Sequence, residues 1–206
     1  MNNRVNKICE RLQQSIKNPV SELIYISNYT FVIAVVLSAQ STDKQVNKVT
    51  SKLFDRYKTI DDILALGVDG LQRKINSIGL FRNKAKNIIA LSEKLKKDFD
   101  SKVPNTREEL ESLPGVGRKS ANVILNTLFD KDTIAVDTHV LRLCNRLGIS
   151  DSKNPKDVEN DLEKQIPKQY RKNISNLLVL HGRYVCKARN PKCNICVISD
   201  CCFCCW

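Results

Sequence analysis

No apolar run in this chain is long enough to cross a bilayer. The longest, Phe31 to Leu37, is seven residues, against the ~20 that a spanning helix needs. A secretory pattern is missing too: Arg4 and Lys7 stand near the start, but no apolar stretch follows them. There are no internal repeats, coiled-coil heptads or convincing strand pairs. These absences lead us to expect a cytoplasmic protein with no membrane partner. Nothing marks an oligomer, so a monomer is expected. Acidic residues are in deficit, 22 Asp and Glu against 34 Lys and Arg, for a net charge of +12. That imbalance favours a polyanionic partner, nucleic acid above all.

What is present is a core and a series of helices. Hydrophobic residues make up 42% of the 206, enough to exclude global disorder. Val5, Ile8, Cys9, Leu12 and Ile16 form a helical stripe. Phe31–Leu37 is apolar throughout, and its helical surroundings make it a buried helix. Ser38-Ala39-Gln40-Ser41 breaks that run, and Thr42-x-x-Gln45 reads as a capping box for the next helix. Thr59 and Asp62 open a helix that Gly67 ends, and Leu71, Ile75 and Ile78 form a stripe stopped by Gly79. Leu80-Phe81 then stands beside Arg82, Lys84 and Lys86, the composition of an apolar wedge flanked by phosphate contacts. Start and stop signals together predict an all-α chain of about ten helices.

The chain centres on Leu113-Pro114-Gly115-Val116-Gly117-Arg118-Lys119, a hairpin between two helices. The first helix opens with Thr106-x-x-Glu109 and ends at Pro114. Gly115 and Gly117 allow tight, left-handed geometry. Ala121, Ile124, Leu125 and Leu128 give the second helix an apolar face, with Lys119, Asn122 and Asn126 opposite. Its start is a place where backbone N–H groups and the helix dipole favour an anion, so a phosphate can lie beside Lys119. Downstream, Val136-Asp137-Thr138-His139 puts a carboxylate at the N-cap of another helix, with His139 in its first turn.

Seven of the nine cysteines follow position 185. In a cytoplasmic protein that argues for metal or cluster binding over disulfides. Cys186, Cys193, Cys196 and Cys202 have the spacing C-x6-C-x2-C-x5-C. Four thiolates on one short polar segment suit a [4Fe–4S] cube or a tetrahedral zinc. Cys201 competes with Cys202 for the fourth place. Cys204 and Cys205 suggest no role.

The hairpin with Val136-Asp137-Thr138-His139 resembles the helix–hairpin–helix and Gly/Pro–Asp signature of the endonuclease III superfamily of DNA glycosylases. The cysteine tail is similar to that family's iron–sulfur loop, spacing included. Leu37–Asp43 and Ile78-Gly79-Leu80 also resemble stretches of the family, and the likeness runs from about Ile24 to Cys202. At its end the chain departs from the family, with Phe203-Cys204-Cys205-Trp206 where a charged tail is usual.

The resemblance implies an all-α fold of two helical domains with a DNA-binding cleft between them. One would be a six-helix barrel over 22–132 with the helix–hairpin–helix at about 106–128. The other would join 1–21 to 133–206 and hold a [4Fe–4S] cluster on Cys186, Cys193, Cys196 and Cys202. By motif position Lys119 would be the nucleophile and Asp137 the essential carboxylate. Gln40 and Leu80 would fill the gap left by a flipped base. Leu113, Gly115, Gly117, Arg118 and His139 would contact DNA. The implied activity is that of a bifunctional DNA glycosylase/AP lyase of base excision repair, acting on oxidised pyrimidines in double-stranded DNA. It would be a bacterial-type enzyme held at the nucleoid through DNA. Two alternatives stand beside it: a monofunctional mismatch glycosylase, and a non-catalytic DNA-binding module. Lys119 bears on the first, because the family's adenine-specific members carry another residue there.

Overall fold

The computed structural model describes residues 3–203. Cys204, Cys205 and Trp206 lie outside the described residues. Among those described there are ten α-helices, two short 310 turns and no strand. The chain divides into two compact units, 22–129 and the combination of 1–21 with 130–206. The boundary read from sequence, after 132, falls slightly further along.

The unit 22–129 contains α2 (Asn28–Ser38), α3 (Asp43–Arg56), α4 (Ile60–Ile75), α5 (Phe81–Asp98), α6 (Arg107–Glu111) and α7 (Arg118–Phe129). Helix α2 is buried on every side from Tyr29 to Leu37. A helix apolar all round must be enclosed by others, and α2 touches α3, α5 and α7. It opens with a reciprocal capping box: Ser27 Oγ accepts from Thr30 N, and Thr30 Oγ1 accepts from Ser27 N at 2.8 Å. Tyr29 brings its hydroxyl into this core and pairs with Ser92 Oγ at 2.6 Å, and Ser92 in turn donates to Ile88 O. Burial raises the Tyr29 phenol well above its ordinary value, so it stays protonated.

Helix ends in this unit mostly follow the sequence signals, with informative exceptions. Thr42 Oγ1 caps α3 by accepting from Gln45 N at 3.3 Å. The capping box is only half made, because Gln45 Nε2 donates to Ser77 O and Oγ instead. Gly67 (φ 62) kinks α4 but does not end it. Helix α6 stops at Glu111, before the residue that precedes proline.

The other unit contains α1 (Asn3–Ser15), α8 (Thr138–Arg146), α9 (Pro155–Gln165) and α10 (Lys168–Tyr184). Val5, Ile8, Cys9 and Leu12 are the buried stripe of α1, which packs on α10. Helix α8 lies against both α9 and α10. Two 310 turns, Cys193–Ile195 and Ser199–Cys201, shape the cysteine tail.

The start of α4 gives a direct test of the capping reasoning. Thr59 Oγ1 accepts from Asp62 N at 3.1 Å, while Asp62 Oδ2 accepts from Lys58 N and Thr59 N, both at 2.9 Å. The backbone donors hold the Asp62 carboxyl below its usual range. Thr59→Ala should cost about 1 kcal/mol in urea unfolding at neutral pH. Because the folded pKa is lowered, Asp62's contribution is complete above the unfolded carboxylate value and is lost as pH falls through the folded one. Urea midpoints measured down the acid limb should therefore fall less steeply for Asp62→Asn than for wild type.

Candidate functional site

The hairpin between α6 and α7 is built largely by backbone. Leu113 is buried in the core, and its carbonyl accepts from Val116 N at 3.1 Å. Only the Leu113 backbone is therefore placed to face a ligand. Gly115 adopts φ +82, and a Cβ there would lie 3.0 Å from Asn87 Cβ. Both the left-handed turn and the close approach to α5 thus require glycine. Gly117 does not use left-handed geometry; a Cβ there would meet nothing within 4 Å. Gly117 stands where α2, α3, α4, α6, α8 and α9 carry an oxygen-bearing N-cap side chain. It supplies no such oxygen, so its own side chain does not satisfy the first N–H groups of α7. Arg118 is half-buried and Lys119 exposed at this helix start. Asn122, expected on the polar face, is instead fully buried.

A second cluster lies in the same unit. Gln40 is exposed with φ 54, and Leu80 has φ 59 with 56% of its surface exposed. Gly79 brings the two segments together: a Cβ on it would lie 3.8 Å from Gln40 O. Phe81 packs against the core, while Arg82 and Lys86 are exposed. Lys84 corrects the sequence reading. It is 4% exposed and cannot meet a phosphate. Its ammonium donates to Leu37 O at 2.9 Å, Ala39 O at 2.6 Å and Ser41 Oγ at 3.1 Å. Burial lowers its pKa from the ordinary value.

Asp137 is the N-cap of α8. Its Oδ1 accepts from His139 N at 2.8 Å and Val140 N at 2.9 Å, which leaves Oδ2 for another partner. His139 is half-buried, with Nδ1 3.2 Å from Arg142 Nη2. Arg142 also donates to Gly182 O and Cys186 O, both at 3.0 Å, so it links the first turn of α8 to the cysteine tail.

Cys186, Cys193, Cys196 and Cys202 line one pocket. Leu143, Leu147 and Ile198 supply apolar wall. Arg146 Nη1 donates to Cys186 Sγ at 3.2 Å, and His181 Nε2 lies 3.4 Å from Cys196 Sγ. Cys201 is not in that lining; its sulfur lies 3.8 Å from Asp200 Oδ1. Among the described residues no three His, Cys, Asp or Glu groups converge as they would on a single ion. Four soft donors spread around a pocket, with cationic and N–H groups at their sulfurs, fit a polynuclear iron–sulfur group.

Two features were not read from sequence. The first is how α1 secures the cysteine tail. Arg4 donates to Cys201 O at 3.0 Å, Arg11 to Val197 O at 3.1 Å, and Lys7 pairs with Asp200 at 2.9 Å. The second is a pocket lined by Lys48, Lys52, Arg56, Arg73 and Lys74 without a carboxylate. The i, i+4, i+8 spacing of its first three residues was available as a signal. No described helix is long and apolar enough to cross a membrane.

Comparison with known proteins agrees with these features. Residues 33–168 match the family model of the HhH-GPD superfamily base excision DNA repair protein. Endonuclease III of Rickettsia felis is 50% identical over 198 residues, covering 96% of this chain and 93% of that protein. Endonuclease III of Escherichia coli K12 is 46% identical over 196 residues, covering 95% and 93%. Among solved structures, a trapped endonuclease III–DNA covalent intermediate superposes with a TM-score of 0.93 at 40% identity, covering 98% of this chain and 97% of that one. A thermostable thymine-DNA glycosylase has the same fold, with a TM-score of 0.88 at 23% identity.

The tail yields a further test. Gly148 has φ +59, and a Cβ there would lie 2.3 Å from the Phe203 ring, which Arg4 covers at 4.6 Å. Gly148→Ala should destabilise by about 1–2 kcal/mol from the backbone alone, with the ring clash added. Urea unfolding of Gly148→Ala/Phe203→Ser should recover the clash and leave the backbone cost.

Proposed function

The chain belongs to the HhH-GPD superfamily of base excision DNA repair proteins, and we propose that it is a bifunctional DNA glycosylase/AP lyase that removes oxidised pyrimidines from duplex DNA. One observation carries the reading. An exposed lysine, Lys119, stands in the first turn of α7, directly after the Gly115–Gly117 turn of the hairpin, in a chain half identical to an endonuclease III over nearly its whole length.

The residues divide the chemistry between them. A damaged base pairs poorly and leaves the stack at reduced cost. Gln40 and Leu80 fill the space it vacates, the hairpin backbone and Arg118 hold a phosphate, and His139 adds a contact from the first turn of α8. As the C1′–N bond breaks, its electron pair goes to the departing base, and positive charge develops at C1′. Asp137 stabilises that charge through the oxygen not engaged in capping. The amine of Lys119 attacks C1′ and, after ring opening, forms a Schiff base. Loss of a C2′ proton then breaks the C3′–O bond, expels the 3′ phosphate and nicks the strand. The basic pocket around Lys48, Lys52 and Arg56 supplies further charge for the polyanion.

We assign Cys186, Cys193, Cys196 and Cys202 to a [4Fe–4S] cluster, in preference to zinc. When bound, it cross-links residues 186–202 and adds its binding free energy to folding. The purified protein should be brown with a broad visible band. Cys202→Ser should lose iron, whereas Cys201→Ser should keep it, by absorbance and iron assay.

Borohydride trapping on a duplex with one abasic site tests the activity. Wild type should give a covalent adduct and Lys119→Ala none. A wild type that releases base without an adduct would be a monofunctional glycosylase. One that binds DNA with steep salt dependence, indifferent to Lys119→Ala and without turnover, would be a binding module only.

A further inference from the structure

We propose that Lys84 is the positioning residue that presets the gap-filling pair Gln40 and Leu80. The inference rests on the reading above, in which those two side chains occupy the space of an extruded base.

Lys84 joins both segments. Its backbone N–H donates to Leu80 O at 3.0 Å, which fixes Leu80 at the start of α5. Its ammonium crosses to the other segment and binds Leu37 O, Ala39 O and Ser41 Oγ, on both sides of Gln40. Leu37 and Ala39 lie at the end of α2, where carbonyls have no partner within the helix and a cation complements the dipole. The carbonyls meet a charge that burial has stripped of water, so the bonds are strong and their loss is costly. Ser38 completes the turn, donating from Oγ to Val35 O at 2.8 Å and accepting from Ser41 N at 3.1 Å.

What these bonds hold is unusual backbone. Gln40 and Leu80 both occupy the left-handed region, which side chains with a Cβ avoid. Such conformations persist where surrounding structure determines them, and they gather at functional sites. Leu80 is also largely exposed, a position that offers a leucine nothing in the free protein. A wedge held in this form before DNA arrives loses less conformational freedom on binding than one that must order itself. A further side-chain link between these neighbouring segments runs from Gln45 Nε2 to Ser77 O at 3.2 Å and Oγ at 3.0 Å, and it fixes the start of α3.

A simple helix cap would stabilise the unit and nothing more. The preset wedge predicts a loss specific to DNA with a gap. The experiment compares a duplex containing tetrahydrofuran, an abasic analogue that forms no Schiff base, with an intact duplex of the same sequence. Affinity is read by anisotropy, and 2-aminopurine opposite the tetrahydrofuran reports insertion. Lys84→Met should lose roughly fivefold to a hundredfold of the preference for the gapped duplex, the range expected when two side chains must be ordered on binding. Affinity for intact duplex, set by phosphate contacts, should stay. The 2-aminopurine response at saturation should fall as it does in Leu80→Ala. Ser41→Ala, which removes one acceptor and keeps the lysine, should move in the same direction by less. It carries the test if Lys84→Met does not fold. Retained preference for the gapped duplex in folded variants, or equal losses on both duplexes, would overturn the proposal. A wild type with no such preference would instead overturn the glycosylase reading on which it stands.

Discussion

A helix with no polar face sets the terms for the larger unit. Helix α2 is buried from Tyr29 to Leu37, and its neighbours cover it. Because α7 is one of them, the hairpin at its start has a fixed footing. Because α5 is another, α2's terminal carbonyls come within reach of Lys84. An enclosed helix still has to satisfy its last C=O groups. Here that obligation is met by a side chain next to residues proposed to touch DNA.

Helix α5 acts as the ruler of the unit. Leu80 stands at its N-cap, Lys84 one turn on, and Asn87 next along the same face, where it abuts Gly115. Further along, Lys94 donates to Ser112 O at 3.0 Å, just ahead of the hairpin. Residues 80, 84, 87 and 94 therefore follow one side of a single helix. The spacing between Leu80 and the Gly115 turn is set by helical rise, not by loops. A substitution that shifts α5 would disturb both ends together.

Much of this was legible in the sequence because it is local. Thr59 with Asp62, Gly115 of the hairpin and Asp137 at the cap of α8 are short-range signals, made by local backbone geometry and hydrogen bonds. The all-apolar run 31–37 required only its surroundings to become a helix. What was not legible depends on distant partners. Lys84 read as a surface charge because lysine usually is one. Only its position beside the end of α2 reveals burial. Asn122 failed likewise, as a polar residue drawn into the core. The family resemblance assigned roles to Gln40 and Leu80, but not the strained backbone that both share.

Among the described residues the cysteines separate by environment. Cys9 and Cys144 sit in the core, where burial pushes both thiols up to about 12. They remain protonated, and the thiolate is the form that binds metal or exchanges disulfides. Cys186 and Cys196 instead face an arginine and a histidine nitrogen across a pocket. Adjacent Cys201 and Cys202 are separated by the end of the 310 turn Ser199–Cys201. It ends on Cys201 with its carbonyl bound by Arg4 and its thiol toward Asp200. The next residue enters extended backbone and reaches the pocket. Helix α1, far away in sequence, thereby holds this turn through Arg4, Lys7 and Arg11.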